Sequence, residues 1–234
     1  MTRVVALLCV IFVQAFVVAD DGGPWSAKAG LGFLSTSGNS DTTNLNASLN
    51  IGYDLQRWHH KLGLLVIGAE SNGVSTAERY VIDYKAKWDL HDYDYIFGGV
   101  NYDKDKFSGV DSSLSETIGY GRRILNNDVH VLNAEIGIGF RQQDFADGTD
   151  DSSGIIKLAG DYQYTISETS AFTQTLSIEI GGDNTFTQSV SGINAKLRDA
   201  LALVFSFTIK NNSDVPAGLD KTDTFTAINL EYTF

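Results

Sequence analysis

The chain is poor in cysteine and proline, and each scarcity excludes a class of protein. Of the 234 residues only Cys9 is a cysteine, and it lies in an N-terminal apolar run. The remainder therefore has no thiol for a disulfide framework or for nucleophilic catalysis. The two prolines, Pro24 and Pro216, lie outside every candidate strand. Because proline cannot donate to a β-ladder, this placement favours uninterrupted β-structure.

Positive charge and long hydrophobic runs are also scarce. The chain has 17 lysines and arginines against 29 aspartates and glutamates, a formal net charge of -12, which argues against nucleic acid as a partner. After residue 19 no apolar run approaches the roughly 18 residues of a membrane-spanning helix. If this chain crosses a membrane, it must do so as a closed β-barrel, because every backbone polar group in hydrocarbon needs a partner.

The N-terminus has the three parts of a secretory signal peptide. Arg3 supplies positive charge, residues 4–18 form an apolar core, and small residues up to Ala19 match a cleavage site. The sequence therefore predicts that residues 1–19 are removed and that residues 20–234 form one exported domain.

Strict alternation of apolar and polar residues is the strongest pattern in the chain. In residues 43–54 the odd positions are mostly apolar, whereas the even positions carry asparagine, serine, glycine and aspartate. The final segment, 223–234, alternates in the same way and ends on the aromatic Phe234. This period of two indicates strands with one apolar face and one polar face. An asparagine-lined face suits a wet lumen, because each buried amide needs hydrogen-bond partners.

About twelve such segments follow one another, with shorter and longer links between them. The sequence predicts an all-β fold: a single antiparallel transmembrane β-barrel of about twelve strands in a Gram-negative outer membrane, with short periplasmic turns and longer outer loops. The longer loops are predicted at residues 70–78, 103–111, 142–153 and 211–222. Aromatic residues near strand ends predict two interfacial girdles formed by Trp25, Tyr53, Trp58, Tyr80, Trp88, Phe140, Phe186 and Phe234.

Several short motifs occur in order along almost the whole exported chain. They are Thr36–Thr42 (TSGNSDT), Arg57–His59 (RWH), Glu78–Tyr80 (ERY), Asp105–Gly109 (DKFSG), Asn212–Pro216 (NSDVP), Lys221–Asp223 (KTD) and the Phe234 terminus. With these motifs the chain resembles the salt-induced outer-membrane protein family, a domain without assigned chemistry. The resemblance implies a Gram-negative outer-membrane barrel and a link to salt or osmotic stress. It implies no catalytic residue.

The residues on the polar faces of the strands form the candidate site. Its mixed charge suits a narrow channel lined by both signs, or a barrel filled with ion pairs. Small residues on the inner face of the second strand favour open space, whereas Lys85 and Lys87 beside Asp83 and Asp89 favour a plug. The predicted lumen-lining residues are Asn44, Asn46, Asn50, Asp83, Lys85, Lys87, Asp89, Glu135, Arg141 and Glu231.

Metal and catalytic motifs are weak. The acidic segment with Asp147, Asp150 and Asp151 offers carboxylates for Ca²⁺, but without the spacing of an EF-hand loop. The histidines have no metal-ligand spacing, and no local motif joins a serine to a histidine. The sequence therefore predicts no cofactor, no enzyme activity and, apart from these three aspartates, no metal ligand.

The leading functional hypothesis is a narrow passive channel for small hydrophilic solutes or ions. One alternative is a non-conducting structural or stress-responsive envelope protein whose loops bind cations or lipopolysaccharide. A third is a lipid-modifying barrel enzyme. The expected partners are outer-membrane lipids, lipopolysaccharide and the barrel assembly machinery, which would recognise the C-terminal strand ending in Phe234. The solute, the open or plugged state of the lumen and the oligomeric state are left open.

Overall fold

The computed structural model describes residues 23–37, 42–71, 74–106, 109–182, 184–215 and 218–234. The predicted signal peptide, residues 1–19, lies outside the described residues. No helix in the described part of the chain is long and apolar enough to cross a membrane.

Twelve antiparallel strands close into one barrel. The strands are β1 (Trp25–Ser37), β2 (Thr42–Leu55), β3 (Trp58–Ser71), β4 (Val74–Asp89), β5 (Asp94–Asp105), β6 (Val110–Asn126), β7 (His130–Phe145), β8 (Asp150–Ser167), β9 (Ser170–Ile180), β10 (Thr185–Arg198), β11 (Leu201–Asn212) and β12 (Thr222–Thr233). Each strand pairs with its neighbours in sequence, and β1 pairs with β12 to close the ring. The predicted twelve-strand antiparallel barrel is confirmed.

The loops at one rim are shorter than the sequence predicts. β3 and β4 stay paired up to Ser71 and Val74, and β7 and β8 up to Asp144 and Asp150. Three of the four predicted long loops are therefore wrong, and only the link 213–221 remains long. Several polar residues assigned to loops, such as Asp144 and Asp150, are strand residues, because backbone pairing continues where the side chains become hydrophilic.

The barrel is apolar outside and polar inside. Leu45 on the outer face of β2 is 76% exposed, whereas the adjacent Asn46 points inward and is 6% exposed. The same alternation recurs on β6, where Ile118 is 63% exposed and Ser115 is 5% exposed. A barrel that buried an apolar core would show the opposite order, so the predicted facing of these strands is confirmed.

Aromatic rings gather at the rim of the short turns. The rings of Trp25 and Tyr53 lie 4.4 Å apart, and those of Trp58 and Trp88 stack at 5.5 Å. Phe186, predicted for a girdle, instead lines an interior cavity beside Gln188. That prediction is wrong because it used distance from the strand end and ignored the parity of β10.

One side of the interior is filled by side chains at the level of Ile67 and Ala227, whereas the inward-facing Asn50, nearer the short turns, is exposed. Ile67 of β3 and Ala227 of β12 are buried against Leu65 and Phe225. We call the region enclosed by β12, β1, β2 and β3 the filled side, and the region enclosed by β4 to β10 the hollow side. The buried Asn46 belongs to the filled side, so the small residues of β2 do not leave open space at its level.

Candidate functional site

A chamber of about 620 Å³ occupies the hollow side of the barrel. Residues of β4 to β10, together with Lys61 of β3, line it, and they carry both signs of charge. Its charged and amide-bearing lining residues are Lys61, Asp83, Lys85, Lys87, Asn101, Asn133, Lys157, Asp161, Gln163, Glu179 and Gln188. A cavity with this lining can hold water and small hydrophilic solutes.

A buried carboxylate binds two lysines in the part of the chamber near the short turns. Glu135 of β7 is 5% exposed and accepts hydrogen bonds from Lys85 Nζ at 2.5 Å and from Tyr95 Oη at 2.9 Å. Lys87 Nζ lies 3.2 Å from Glu135 and 4.5 Å from the centre of the Tyr95 ring. β4 and β7 are three places apart in the barrel, so these bonds run through the interior. We call these four residues the Glu135 cluster.

The second charged group lies at the short-turn mouth. Asp89 accepts a hydrogen bond from Arg123 at 2.6 Å, and its other oxygen lies 3.0 Å from His59 Nε2. His59 Nδ1 lies 2.6 Å from Asp54. Lys85 and Lys87, which the sequence places beside Asp83 and Asp89, therefore bind Glu135 of another strand.

A third group ties opposite walls together at the other end of the lumen. Arg79 of β4 makes two hydrogen bonds to Asp103 of β5, at 2.8 and 2.6 Å, and Lys210 of β11 reaches the same carboxylate at 2.5 Å. The guanidinium of Arg79 lies 5.1 Å from the centre of the Phe225 ring. We call Arg79, Asp103 and Lys210 the Asp103 tie.

The Asp103 tie requires a flattened barrel. β5 and β11 are six places apart in the twelve-strand ring, so they are opposite one another. A circular barrel with this strand number, ordinary strand spacing and ordinary tilt would be about 24 Å across. A lysine and an aspartate placed end to end reach about half of that distance. The walls therefore approach each other here, and the tie separates the filled side from the hollow side.

A smaller cavity, of about 70 Å³, lies beside the chamber, near the rim with the longer link. Four residues line both cavities, and we call the boundary that they form the neck: Asn101, Ser115, Phe186 and Gln188. The adjacent wall is held by Glu179, which accepts a hydrogen bond from Ser115 at 3.0 Å and lies 3.6 Å from Arg141. Arg141 is 2% exposed and also donates to the Asn184 carbonyl. The neck is thus framed by fixed side chains.

A family model described as "Protein of unknown function, DUF481" matches residues 29–234. The chain belongs to the DUF481 family. The uncharacterized protein YdiY of Escherichia coli K12 is 27% identical over 224 residues, which are 94% of this chain and 88% of YdiY. The match covers nearly the whole chain, as does the family resemblance noted in the sequence.

Solved structures with this architecture include porins and channels. The NanC porin superposes with a TM-score of 0.59 at 10% identity, covering 87% of this chain and 98% of the porin. An outer-membrane channel from Pseudomonas putida F1 gives 0.56 at 10% identity over 91% and 96%. The KdgM porin in complex with oligogalacturonate gives 0.53 at 12% identity over 88% and 99%. At these identities the similarity establishes the fold of this DUF481 barrel alone.

The predicted lumen-lining residues of this DUF481 chain fall into separate groups. Asp83 accepts a long hydrogen bond from Asn101 at 3.4 Å, and Glu231 lies 3.4 Å from Lys28. Asn50 is exposed on β2, and the side chain of Asn44 lies outside the described residues. Lys85, Lys87 and Glu135 meet in the Glu135 cluster, Asp89 lies at the short-turn mouth, Arg141 lies beside the neck, and Asn46 lies on the filled side.

Sequence reasoning missed Tyr95, Asp103, Phe186 and Lys210 as site residues. In β11 apolar residues occupy every second position from Leu201 to Ile209, so the same alternation places the next residue, Lys210, on the inner face. Asp103 and Tyr95 were harder to find, because the mixed composition of β5 leaves its register ambiguous.

The three aspartates suggested as metal ligands do not converge. Asp147 accepts hydrogen bonds from the Thr149 backbone and hydroxyl, which lower its pKa. Asp150 pairs with Asp144 in the β7–β8 hairpin, and Asp151 with Gln143. Within the ranges that the structure describes, no three acidic, histidine or cysteine side chains are grouped as metal ligands.

Proposed function

We propose that this protein is a Gram-negative outer-membrane barrel that works as a narrow passive channel for small hydrophilic solutes or ions. The observation that carries the proposal is the polar chamber of about 620 Å³ on the hollow side, with the neck beside it. The fold shared with porins and channels supports it. A filled barrel would have no such space.

The two faces of the wall suit this role. Exposed leucine, isoleucine and phenylalanine side chains outside match hydrocarbon, while charged and amide side chains inside replace part of a solute's hydration. The Glu135 cluster offsets two lysines with a buried carboxylate, so the chamber presents both signs at close range. We therefore expect weak charge selection, with size selection at the neck.

The decisive experiment is conductance of the purified protein in planar bilayers, with swelling of protein-containing liposomes as a second measurement. Discrete conductance steps and swelling in small sugars or amino acids are expected. Asp161 suits a charge test because it faces the chamber and its described partner is the Thr175 hydroxyl at 3.0 Å. Asp161→Lys should shift ion selectivity toward anions, whereas Glu168→Lys, in the β8–β9 turn, should not.

The absence of both steps and swelling in correctly folded protein would disprove the channel. It would favour the second candidate, a non-conducting envelope barrel, for which the Asp103 tie and the filled side are the supporting observations. The third candidate, a lipid-modifying enzyme, has less support from the contacts of the described histidines. His59 contacts two aspartates, while His60 and His130 contact tyrosines.

The proposal also includes the membrane surroundings of the barrel and a link to salt stress. The barrel would lie among outer-membrane lipids and lipopolysaccharide and be inserted by the barrel assembly machinery, which would recognise β12 and Phe234. The Phe234 amide donates to the Ala27 carbonyl at 2.9 Å, so the terminal residue continues the closing pair. A link to salt or osmotic stress stays a prediction, and protein abundance at low and high salt would test it.

A further inference from the structure

Most charged side chains of the chamber are already bound to one another. In the Glu135 cluster one carboxylate contacts two lysines. Glu179 likewise lies 3.2 Å from Lys157 and 3.6 Å from Arg141. Among the described residues that line the chamber, the charged side chains that have no ion pair are Lys61, Asp83 and Asp161. A solute in the chamber therefore meets unpaired charge of both signs.

Lys61 and Asp83 lie close together on neighbouring strands. Lys61 of β3 is opposite Lys85 of β4, and Gly63 is opposite Asp83. Lys61 and Asp83 are therefore diagonal neighbours on the inner face, with α-carbons roughly 7–8 Å apart. Both side chains are exposed to the lumen, and Asp83 accepts one long hydrogen bond, at 3.4 Å, from Asn101. The carboxylate of Asp83 thus keeps most of its capacity to accept further hydrogen bonds.

Gly63 separates Asp83 from a second oxygen acceptor. Asn50, Gly63 and Asp83 form one row across β2, β3 and β4. A Cβ added to Gly63 would lie 3.4 Å from Asn50 Oδ1 and 3.8 Å from the Asp83 Cβ, so the amide oxygen lies beside this glycine. Asn50 is exposed, and its side chain makes no hydrogen bond within the part of the chain that the structure describes. Two acceptors therefore flank Gly63, and Lys61 lies two residues nearer the short turns.

This combination of side chains discriminates between classes of solute. Two oxygen acceptors by themselves would suit a metal ion or a cationic solute, but the unpaired ammonium of Lys61 repels a solute with positive charge only. In the same way, Asp83 repels a solute with negative charge only. A molecule that carries an ammonium and a carboxylate on the same carbon can bind all three side chains, and it adds no net charge to the chamber.

We propose that Asn50, Lys61 and Asp83 bind small α-amino acids as zwitterions. The ammonium of the solute donates charge-assisted hydrogen bonds to Asp83 and to Asn50 Oδ1, and its carboxylate accepts one from Lys61 Nζ. The site rests on the proposed channel, because it names the class of solute that the chamber takes up. It agrees with weak selection by net charge, since the preferred solute is neutral overall.

The test is saturation-transfer NMR of the full-length mature protein in detergent micelles, with four probes that share one carbon skeleton. L-Alanine carries both charges, alaninamide only the positive one, lactate only the negative one and lactamide neither. The measurements are made at about pH 6, where an α-amino group is protonated. Wild type should bind alanine at least about tenfold more tightly than lactamide, which is the ratio that one charged hydrogen bond supplies.

Two variants test the two ends of the site separately. Asp83→Asn should weaken the binding of alanine and alaninamide about tenfold without weakening that of lactate. Lys61→Met should weaken alanine and lactate without weakening alaninamide. Asp161→Asn is the matched control, because Asp161 is a second carboxylate of the chamber without an ion pair but lies on β8. It should leave the binding of alanine close to that of wild type.

Folding of each variant is checked by the mobility shift of unheated protein on gels. Equal binding of the four probes by wild type would overturn the proposal, and so would tighter binding of alaninamide than of alanine, which would indicate a cation site. Equal weakening of alanine in Asp161→Asn and Asp83→Asn would also overturn it, because the whole chamber would then attract the solute.

Conductance measured on the same samples separates this site from the proposed channel. Alanine binding that follows the expected pattern of the variants, in a protein without conductance, removes the channel and keeps the site. Conductance in a protein that binds the four probes equally removes the site and keeps the channel.

Discussion

The filled side and the hollow side of the lumen are both lined by the polar faces of strands, yet only the hollow side contains a chamber. On the filled side Asn46 is buried near the β3–β12 cluster of Ile67 and Ala227. On the hollow side, carboxylates such as Glu135 and Glu179 hold cations along the wall and leave a chamber between them. The alternation of polar residues along a strand therefore shows which face of the strand lines the lumen. Whether that lumen is open depends on the bonds that cross it.

The largest expected effect is at the Asp103 tie, which separates the two sides. Asp103→Asn would leave Arg79 and Lys210 as two cations without their shared carboxylate. Breaking such a buried group typically costs about 3–5 kcal/mol, so the unfolding midpoint in denaturant should fall clearly. The walls should also separate at this level, and conductance should rise.

The control for the Asp103 tie is an exposed pair on the neighbouring outer surface. Lys104 lies 3.9 Å from Asp111, and Lys104→Met should change stability by less than about 1 kcal/mol. If Asp103→Asn proves no more destabilising than this control, the tie does not hold the walls together. The distinction between the two sides would then need another cause.

The sequence predicted the strands and, for the clearest of them, which face points outward. Both predictions depend on apolar and polar residues alternating with a period of two. Leu45 and Asn46 are adjacent and opposite in character, and each occupies the predicted face. Strand ends were less predictable, because backbone pairing does not need apolar side chains. Asp144 and Asp150 pair across a hairpin where their charges suggested a loop.

The candidate site could be predicted only as a set of inward residues. Lys210 and Asp103 are 107 positions apart, and their contact depends on the flattening of the whole barrel. The alternation of a single strand carries no information about that flattening. In the same way, Lys85 is close to Asp83 in sequence, but its bond is to Glu135 on another strand. Which charged side chains contact one another inside a barrel depends on the curvature and cross-section of that barrel.

The Glu135 cluster should give the second-largest effect, on the hollow side. Glu135→Gln leaves Lys85 and Lys87 without a carboxylate, and losing hydrogen bonds to charged groups costs about 2 kcal/mol. The chamber would gain positive charge, so reversal potentials in a salt gradient should move toward anion selectivity. Glu231→Gln, which affects the 3.4 Å contact with Lys28 near the closing pair, is the matched control. Equal shifts in the two variants would show that the lysines of the chamber do not set selectivity.

The neck gives the next prediction. Phe186 is the one aromatic side chain among the four residues that line both cavities. Phe186→Ala should raise conductance and admit larger sugars in liposome swelling, with a stability loss of about 1 kcal/mol because the ring is only partly buried. Phe97→Ala serves as the comparison, since Phe97 lines the chamber but not the smaller cavity. Larger sugars entering equally through both variants would place the constriction elsewhere.

The smallest expected effect tests the filled side directly. The Oδ1 atoms of Asn46 and Asn229 are buried without a hydrogen-bond partner in the described part of the chain. Asn46→Leu removes such an unpaired group, so stability should change by no more than about 1 kcal/mol. Conductance should stay unchanged, because Asn46 lies away from the chamber. Asn101→Leu, the same replacement at the neck, should lower conductance. If Asn46→Leu lowers conductance as much as Asn101→Leu, solute passes through both sides, and the division by the Asp103 tie is incorrect.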